Sequence, residues 1–174
     1  MRSRRLFHIR FRRTILFAMF GAMMFALKVA MVSLPNIHPL GMFIMLLTVV
    51  YRSRALIPIY IYVLLEGVFF FGTWWFPYLY IWTILWGMTM LLPKKMKPSV
   101  AAVLYPTVCG LYGLLFGLFY APAEALIYGM SFSETLAWVA LGTHFDILHA
   151  IGNFAMGCLI LPLSKVLFKL EERI

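Results

Sequence analysis

The chain has 174 residues, 64% of them hydrophobic and only 12% charged, with a mean hydropathy of +0.93 and a net charge of +9. A soluble domain cannot hide that much apolar surface, so an integral membrane protein is expected, with about six short spans and no separate catalytic or ATP-binding domain. In such a protein Lys and Arg report topology, and no nucleic-acid partner is expected.

Charged and Pro/Gly-rich breaks divide the chain into apolar stretches at 14–34, 39–51, 55–71, 75–92, 99–120 and 144–163. The expected fold is a single all-α membrane domain: a six-transmembrane-helix bundle with both termini cytoplasmic. The second stretch has 13 residues, short enough for a re-entrant segment. Charge decides for a crossing. With six crossings, the basic segment 1–13, the connections 52–54 and 93–98 and the C-terminal end share one side. Together they carry fourteen of the fifteen basic residues, and the connections 35–38, 72–74 and 121–143 carry none. That asymmetry puts both termini inside. The basic N-terminus followed by an apolar run resembles a secretory signal, but the run exceeds the usual length of roughly 7–15 residues and lacks a convincing cleavage site. It reads as a retained first helix.

Within the first span, "AMFGAMMFALKVA" places Ala18, Ala22, Ala26 and Ala30 four residues apart. Four residues turn a helix by about 400°, so the alanines form a shallow groove winding slowly around it. Lipid chains are as apolar as leucine, so helices in a bilayer associate where small side chains permit close approach. The groove serves either a neighbouring helix of the same chain or another protein. Lys28 lies about 160–200° from Ala26 and Ala30 and faces away from the groove. An intramembrane charge is costly and needs a partner, and Glu66 in the third span, at a matching depth, is the natural one. Two roles stand for this pair, a structural ion pair and a ligand contact.

In the fourth span Trp75, Tyr78, Trp82 and Trp86 share a helical face about 80° wide. Trp74, Trp75 and Tyr78 suit a membrane-boundary belt, whereas Trp82 and Trp86 lie deeper, as core packing or a wall on which a flat ligand stacks. The long outer connection 121–143 contains Glu124 and Glu134 and reads as a loop or as a cap over a cavity. In the sixth span Gly142, Asp146, His149, Asn153 and Gly157 line up on one face, with His144 at its mouth. Polar groups among small residues fit a cavity wall better than a lipid face. Asp146 and His149 alone are too few for a metal site, so none is expected. Asn36 and His38, in the first outer connection, are placed to close the same pocket.

Taken together, the chain resembles the substrate-binding (S) components of energy-coupling factor (ECF) vitamin transporters. The resemblance covers nearly the whole chain: about six helices, termini inside, alanines four apart on the first helix, and the segments "LPNIHP", "YVLLEG" and "TWWFPYLYIW". It implies a multi-pass protein of a prokaryotic cell membrane. Ala18, Ala22, Ala26 and Ala30 would dock against a coupling transmembrane subunit served by two ATPases. The implied function is capture of a vitamin-like molecule outside and delivery inward, with no cofactor of its own. No GxxxxGK[ST] loop is present, so ATP hydrolysis would belong to the partners. The expected ligand contacts are Lys28, Asn36, His38, Glu66, Trp75, Tyr78, Trp82, His144, Asp146, His149 and Asn153. A flavin, thiamine, folate-like, pyridoxine-like or corrinoid molecule would suit them. Two further classes remain: a proton-coupled carrier using Lys28, Glu66 and the sixth-span acid and histidines, and an intramembrane enzyme using His144, Asp146 and His149. No serine elbow or HExxH motif supports the enzyme.

The charge asymmetry has a direct test. Cysteines placed at Gly72 and Ser131 should react with an impermeant thiol reagent in intact cells, and one at Ser53 should not. Labelling at Ser53 alone would invert the orientation.

Overall fold

The computed structural model describes residues 2–34 and 36–172, with side chains from residue 11 onward. The side chains of Arg2, Arg4, Arg5 and Arg10, and Pro35 and Arg173 entirely, lie outside the described residues. Among those described, the regular elements are helices: α1 (Arg2–Ala30), α2 (Leu40–Tyr51), α3 (Leu56–Phe69), α4 (Tyr78–Met90), α5 (Pro98–Leu114), α6 (Phe116–Tyr128), α7 (Phe132–Gly157) and α8 (Ile160–Glu171).

Local chemistry sets the breaks between them. Arg52 takes a left-handed φ of 55° and starts a short 3-10 turn, Arg52–Ala55, between α2 and α3. Pro98 occupies the first turn of α5, where its missing N–H costs nothing. Gly129 ends α6 at φ 64°, a conformation in which a side chain would be strained. Ser131 then opens α7 with a reciprocal capping box: its hydroxyl accepts from the Glu134 amide, and the Glu134 carboxylate accepts from the Ser131 amide. Most of 121–143, expected as a loop or cap, is therefore a helical hairpin made by the end of α6 and the start of α7. It is tied at its base by Tyr120 stacked on Trp138, with ring centroids 6.0 Å apart.

Side-chain contacts fix the direction of each helix. Gly21 meets Pro58 and Ile61, and Lys28 pairs with Glu66, so α1 and α3 run parallel. Tyr51, at the end of α2, packs on Phe17, so α2 runs back between them. Trp86 donates to the Arg52 carbonyl at 3.1 Å and Tyr60 to that of Leu79 at 2.9 Å, which makes α4 antiparallel to α3. Tyr112 donates to Ile81 at 2.9 Å as the chain climbs again through α5 and α6. Descending α7 packs Gly157 beside Pro106 and His149 beside Gly113, and α8 ends with Glu171 on Arg13 at 2.9 Å.

Three apolar runs are long enough to cross a membrane by length and composition: Phe11–Ala30, Leu40–Phe69 and Pro98–Tyr128. The pair α7–α8, bent by 45°, passes the same test when the two helices are counted together as one broken span. The second run is folded back on itself at Arg52. Its arm α2, like α4, is only 12 or 13 residues long, about 18–20 Å against a hydrocarbon core of about 30 Å. Residues 40–48 of α2 are all buried, as expected of a helix that is apolar on every face and sits in the middle of a bundle. Large apolar side chains such as Met19, Val68, Leu126 and Leu141 point outward. An exterior of that kind belongs in contact with lipid. Cys109 is buried, whereas Cys158 is exposed, in the break between α7 and α8 on the outside of the bundle.

The α1–α3 contact depends on one missing side chain. A Cβ on Gly21 would stand 2.5 Å from Ile61 Cγ2 and 3.0 Å from the Pro58 carbonyl oxygen. Gly21→Leu should therefore destabilise the bundle by about 1–3 kcal/mol, whereas Ala22→Leu, one residue along on the exposed face, should leave stability unchanged. Thermal unfolding of both variants in detergent checks the contrast.

Candidate ligand site

The site begins where α1 and α3 touch. Phe17, Gly21, Met24 and Lys28 form the inward face of α1, with Phe17, Gly21 and Met24 buried. On α3 the matching face is Ile59, Tyr62, Val63 and Glu66, all buried. This register brings the Lys28 ammonium onto Glu66 Oε1, with Glu66 only 2% exposed. The ammonium also lies 4.9 Å from the Tyr78 ring centroid and 5.3 Å from that of Trp74, so two aromatic faces and one carboxylate surround it. A cavity of about 160 Å³ opens beside the pair, lined by Lys28, Val29, Val32, Glu66, Phe70 and Trp74. A larger groove of about 500 Å³ lies elsewhere, between α5 and α7, with an apolar lining that includes Leu111, Ile151 and Phe154. It has no charged group and is far less suited to orienting a polar ligand.

Deeper in, four elements bring polar side chains together. His38 precedes α2, Tyr62 comes from α3, Trp82 from α4, and His149 and Asn153 from α7. The His38 and His149 rings are 5.3 Å apart, and Trp82 lies 6.5 Å from His38 and 6.1 Å from Tyr62. Phe116 closes the side at 4.6 Å from His149. Gly41 makes room for Asn153, since a Cβ there would stand 2.6 Å from Oδ1. Tyr62, Trp82, His149 and Asn153 are all but completely buried. Even so, the Tyr62 hydroxyl, the Trp82 indole N–H, both His149 nitrogens and both Asn153 amide atoms have no hydrogen-bond partner, nor has His38 Nδ1. Each such group costs about 1–3 kcal/mol when left unmatched. So many in one place mark a spot where something polar belongs.

Of the expected contacts, Lys28, Glu66 and Tyr78 form the outer part, and His38, Trp82, His149 and Asn153 the inner part. Asp146 borders them, accepting at 3.0 Å from the Gly117 amide. Three stand apart. The Trp75 indole is committed to the Val63 carbonyl at 2.9 Å, and it precedes α4 in a short 3-10 turn (Thr73–Trp75) instead of extending its face. His144 is exposed on α7, bonded to the Leu141 carbonyl at 2.9 Å, because it lies about 200° around the helix from Asp146. Asn36 reaches across to the Phe145 carbonyl at 3.5 Å and serves as a strap between the first outer connection and α7. Tyr62, Tyr112 and Phe116 were not singled out in the sequence. Tyr62 was legible as the residue one turn before Glu66 on the same face, whereas Tyr112 and Phe116 carry no such mark. Among the described residues no group of three or more His, Cys, Asp or Glu is placed to hold a metal ion.

The alanines have the opposite environment. Ala18, Ala22, Ala26 and Ala30 are all exposed, on the side of α1 turned away from α3. No family model, curated protein sequence or solved structure matches the chain.

The buried pair yields a stability test. Lys28→Met leaves the Glu66 carboxylate buried without its counter-charge and should cost about 3–5 kcal/mol. The double variant Lys28→Met/Glu66→Met should recover most of that loss. Denaturant unfolding of the two proteins in detergent measures the difference.

Proposed function

We propose that this chain is the substrate-binding subunit of an ECF-type importer in a prokaryotic cell membrane. It captures a vitamin-like small molecule from outside and releases it inside after docking to a coupling transmembrane subunit driven by two ATPases. In this reading the six alternating passes of the bundle are six membrane spans, the short α2 and α4 being completed by their flanking turns. Both termini are cytoplasmic. Arg13 beside Glu171, and Arg52 donating to the Met90 carbonyl at 2.9 Å, support one basic end to the bundle.

The observation that carries the reading is the division of labour on α1. Its inward face holds Lys28, paired with Glu66, on the side of the bundle that contains the buried polar cluster. Its outward face presents four exposed alanines. Packing within the chain is the competing explanation for the alanine register, and their exposure favours docking to another protein. A smooth surface at helix–helix spacing suits close approach by another membrane helix. The resemblance to S components supplies the identity of that helix, and the unmatched polar atoms supply the reason for a ligand.

The test separates the two faces. Ala22→Trp/Ala26→Trp should leave folding and ligand affinity in detergent unchanged, while co-purification with the coupling subunit and cellular uptake fail together. Loss of affinity with a misfolded monomer would return the alanines to internal packing. Proton-driven uptake by the chain alone would favour the carrier built on Lys28 and Glu66.

A further inference from the structure

The inner cluster also says what kind of molecule it takes. Its unmatched groups are of both kinds. The Trp82 indole and the Asn153 NH2 only donate, the Asn153 carbonyl oxygen only accepts, and the Tyr62 hydroxyl does both. Each neutral imidazole adds a donor on one nitrogen and an acceptor on the other. Two imidazolium charges 5.3 Å apart and so deeply enclosed would repel each other. Of the charges bordering the cluster, Lys28 is paired with Glu66, whereas Asp146 meets only the neutral Gly117 amide. An anionic group on a ligand would therefore be buried here beside an uncompensated carboxylate, at a cost well above that of an unmatched neutral group.

Shape narrows the class further. Trp82 lies in ring contact with Tyr78, Tyr112 and Phe116, at centroid distances of 5.4, 6.2 and 5.7 Å. Such walls favour a flat π-system whose edge is read by hydrogen bonds. A terminal amide such as that of Asn153, donor and acceptor side by side, matches an edge on which a ring nitrogen and an amino or carbonyl group are adjacent.

Resting on the capture reading above, we infer that the part of the ligand recognised by Trp82, His38, His149 and Asn153 is a flat nitrogen heterocycle without negative charge, with a lactam, imide or amino-azine edge. Any anionic portion lies toward the cavity at Lys28.

The experiment is native mass spectrometry of the detergent-purified full chain after exposure to a yeast-extract small-molecule fraction. It is followed by tryptophan-fluorescence titration with the molecule captured, on the parent, on Trp82→Phe and on Asn153→Leu. Trp82→Phe keeps an aromatic ring while removing the N–H together with the rest of the pyrrole ring, so it remains informative where Asn153→Leu fails to fold. The expected result is a captured molecule with a flat heterocyclic moiety free of negative charge, and an affinity about tenfold weaker in Trp82→Phe. Capture of a molecule with no such moiety, or undiminished affinity in Trp82→Phe, overturns the assignment while leaving capture itself intact. Failure of the folded protein to retain any small molecule overturns the assignment and the capture reading together, and leaves the unmatched groups to buried water.

Discussion

The approach of α1 to α3 at Gly21 is the contact on which the site depends. With no side chain at Gly21, the helix settles against Ile61 and the Pro58 carbonyl. Seven residues on, two turns of α1 deliver Lys28 to Glu66 at the matching level of α3. A larger residue at position 21 would push the helices apart along their shared length. The ammonium would then lose its carboxylate, and the rings of Trp74 and Tyr78 their cation. A packing constraint thus determines an electrostatic arrangement two turns away.

The same logic recurs on the other side of the bundle, where α7 lies against α5 and α6. A Cβ on Gly113 would stand 2.8 Å from the His149 carbonyl, and one on Gly157 2.7 Å from Pro106. Gly117 leaves its amide open to the Asp146 carboxylate. These close approaches bring His149 and Asn153 up to Trp82 and His38. Leucine-sized residues in their place would keep the polar face of α7 at a distance. In an environment where hydrophobicity gives helices little reason to associate, the missing side chains set the geometry of the polar ones.

Stability and function pull in different directions at the centre. α2 is buried on all sides and supplies an apolar axis for the bundle. Immediately before and beside it lie polar atoms without partners, each a cost to the folded state. A chain under selection for stability alone would fill that space with hydrocarbon, since apolar replacement of buried polar groups is often neutral or favourable. On the proposed capture reading, their presence serves recognition.

The sequence determined that the chain is helical and apolar enough to cross a membrane, the position of most helices and the pairing of Lys28 with Glu66. These follow from hydropathy, helical period and the cost of an intramembrane charge, all local or one-dimensional signals. It also marked Asp146, His149 and Asn153 as one face, because residues three and four apart share a side of any helix. The helical hairpin at 121–143 was legible in part, since Ser131 and Glu134 spell a helix start. Tertiary structure decided what the periodic signals leave undetermined. Only the packing of α1 on α3 shows the alanines to be exposed. Only the return of α7 against α5 and α6 brings His149 to His38 across more than a hundred residues of chain, while leaving His144 outside and Trp75 tied to a carbonyl. The physical reason is that one helix has a single inward face, and which of its polar residues meet those of another depends on where glycine lets the backbones touch.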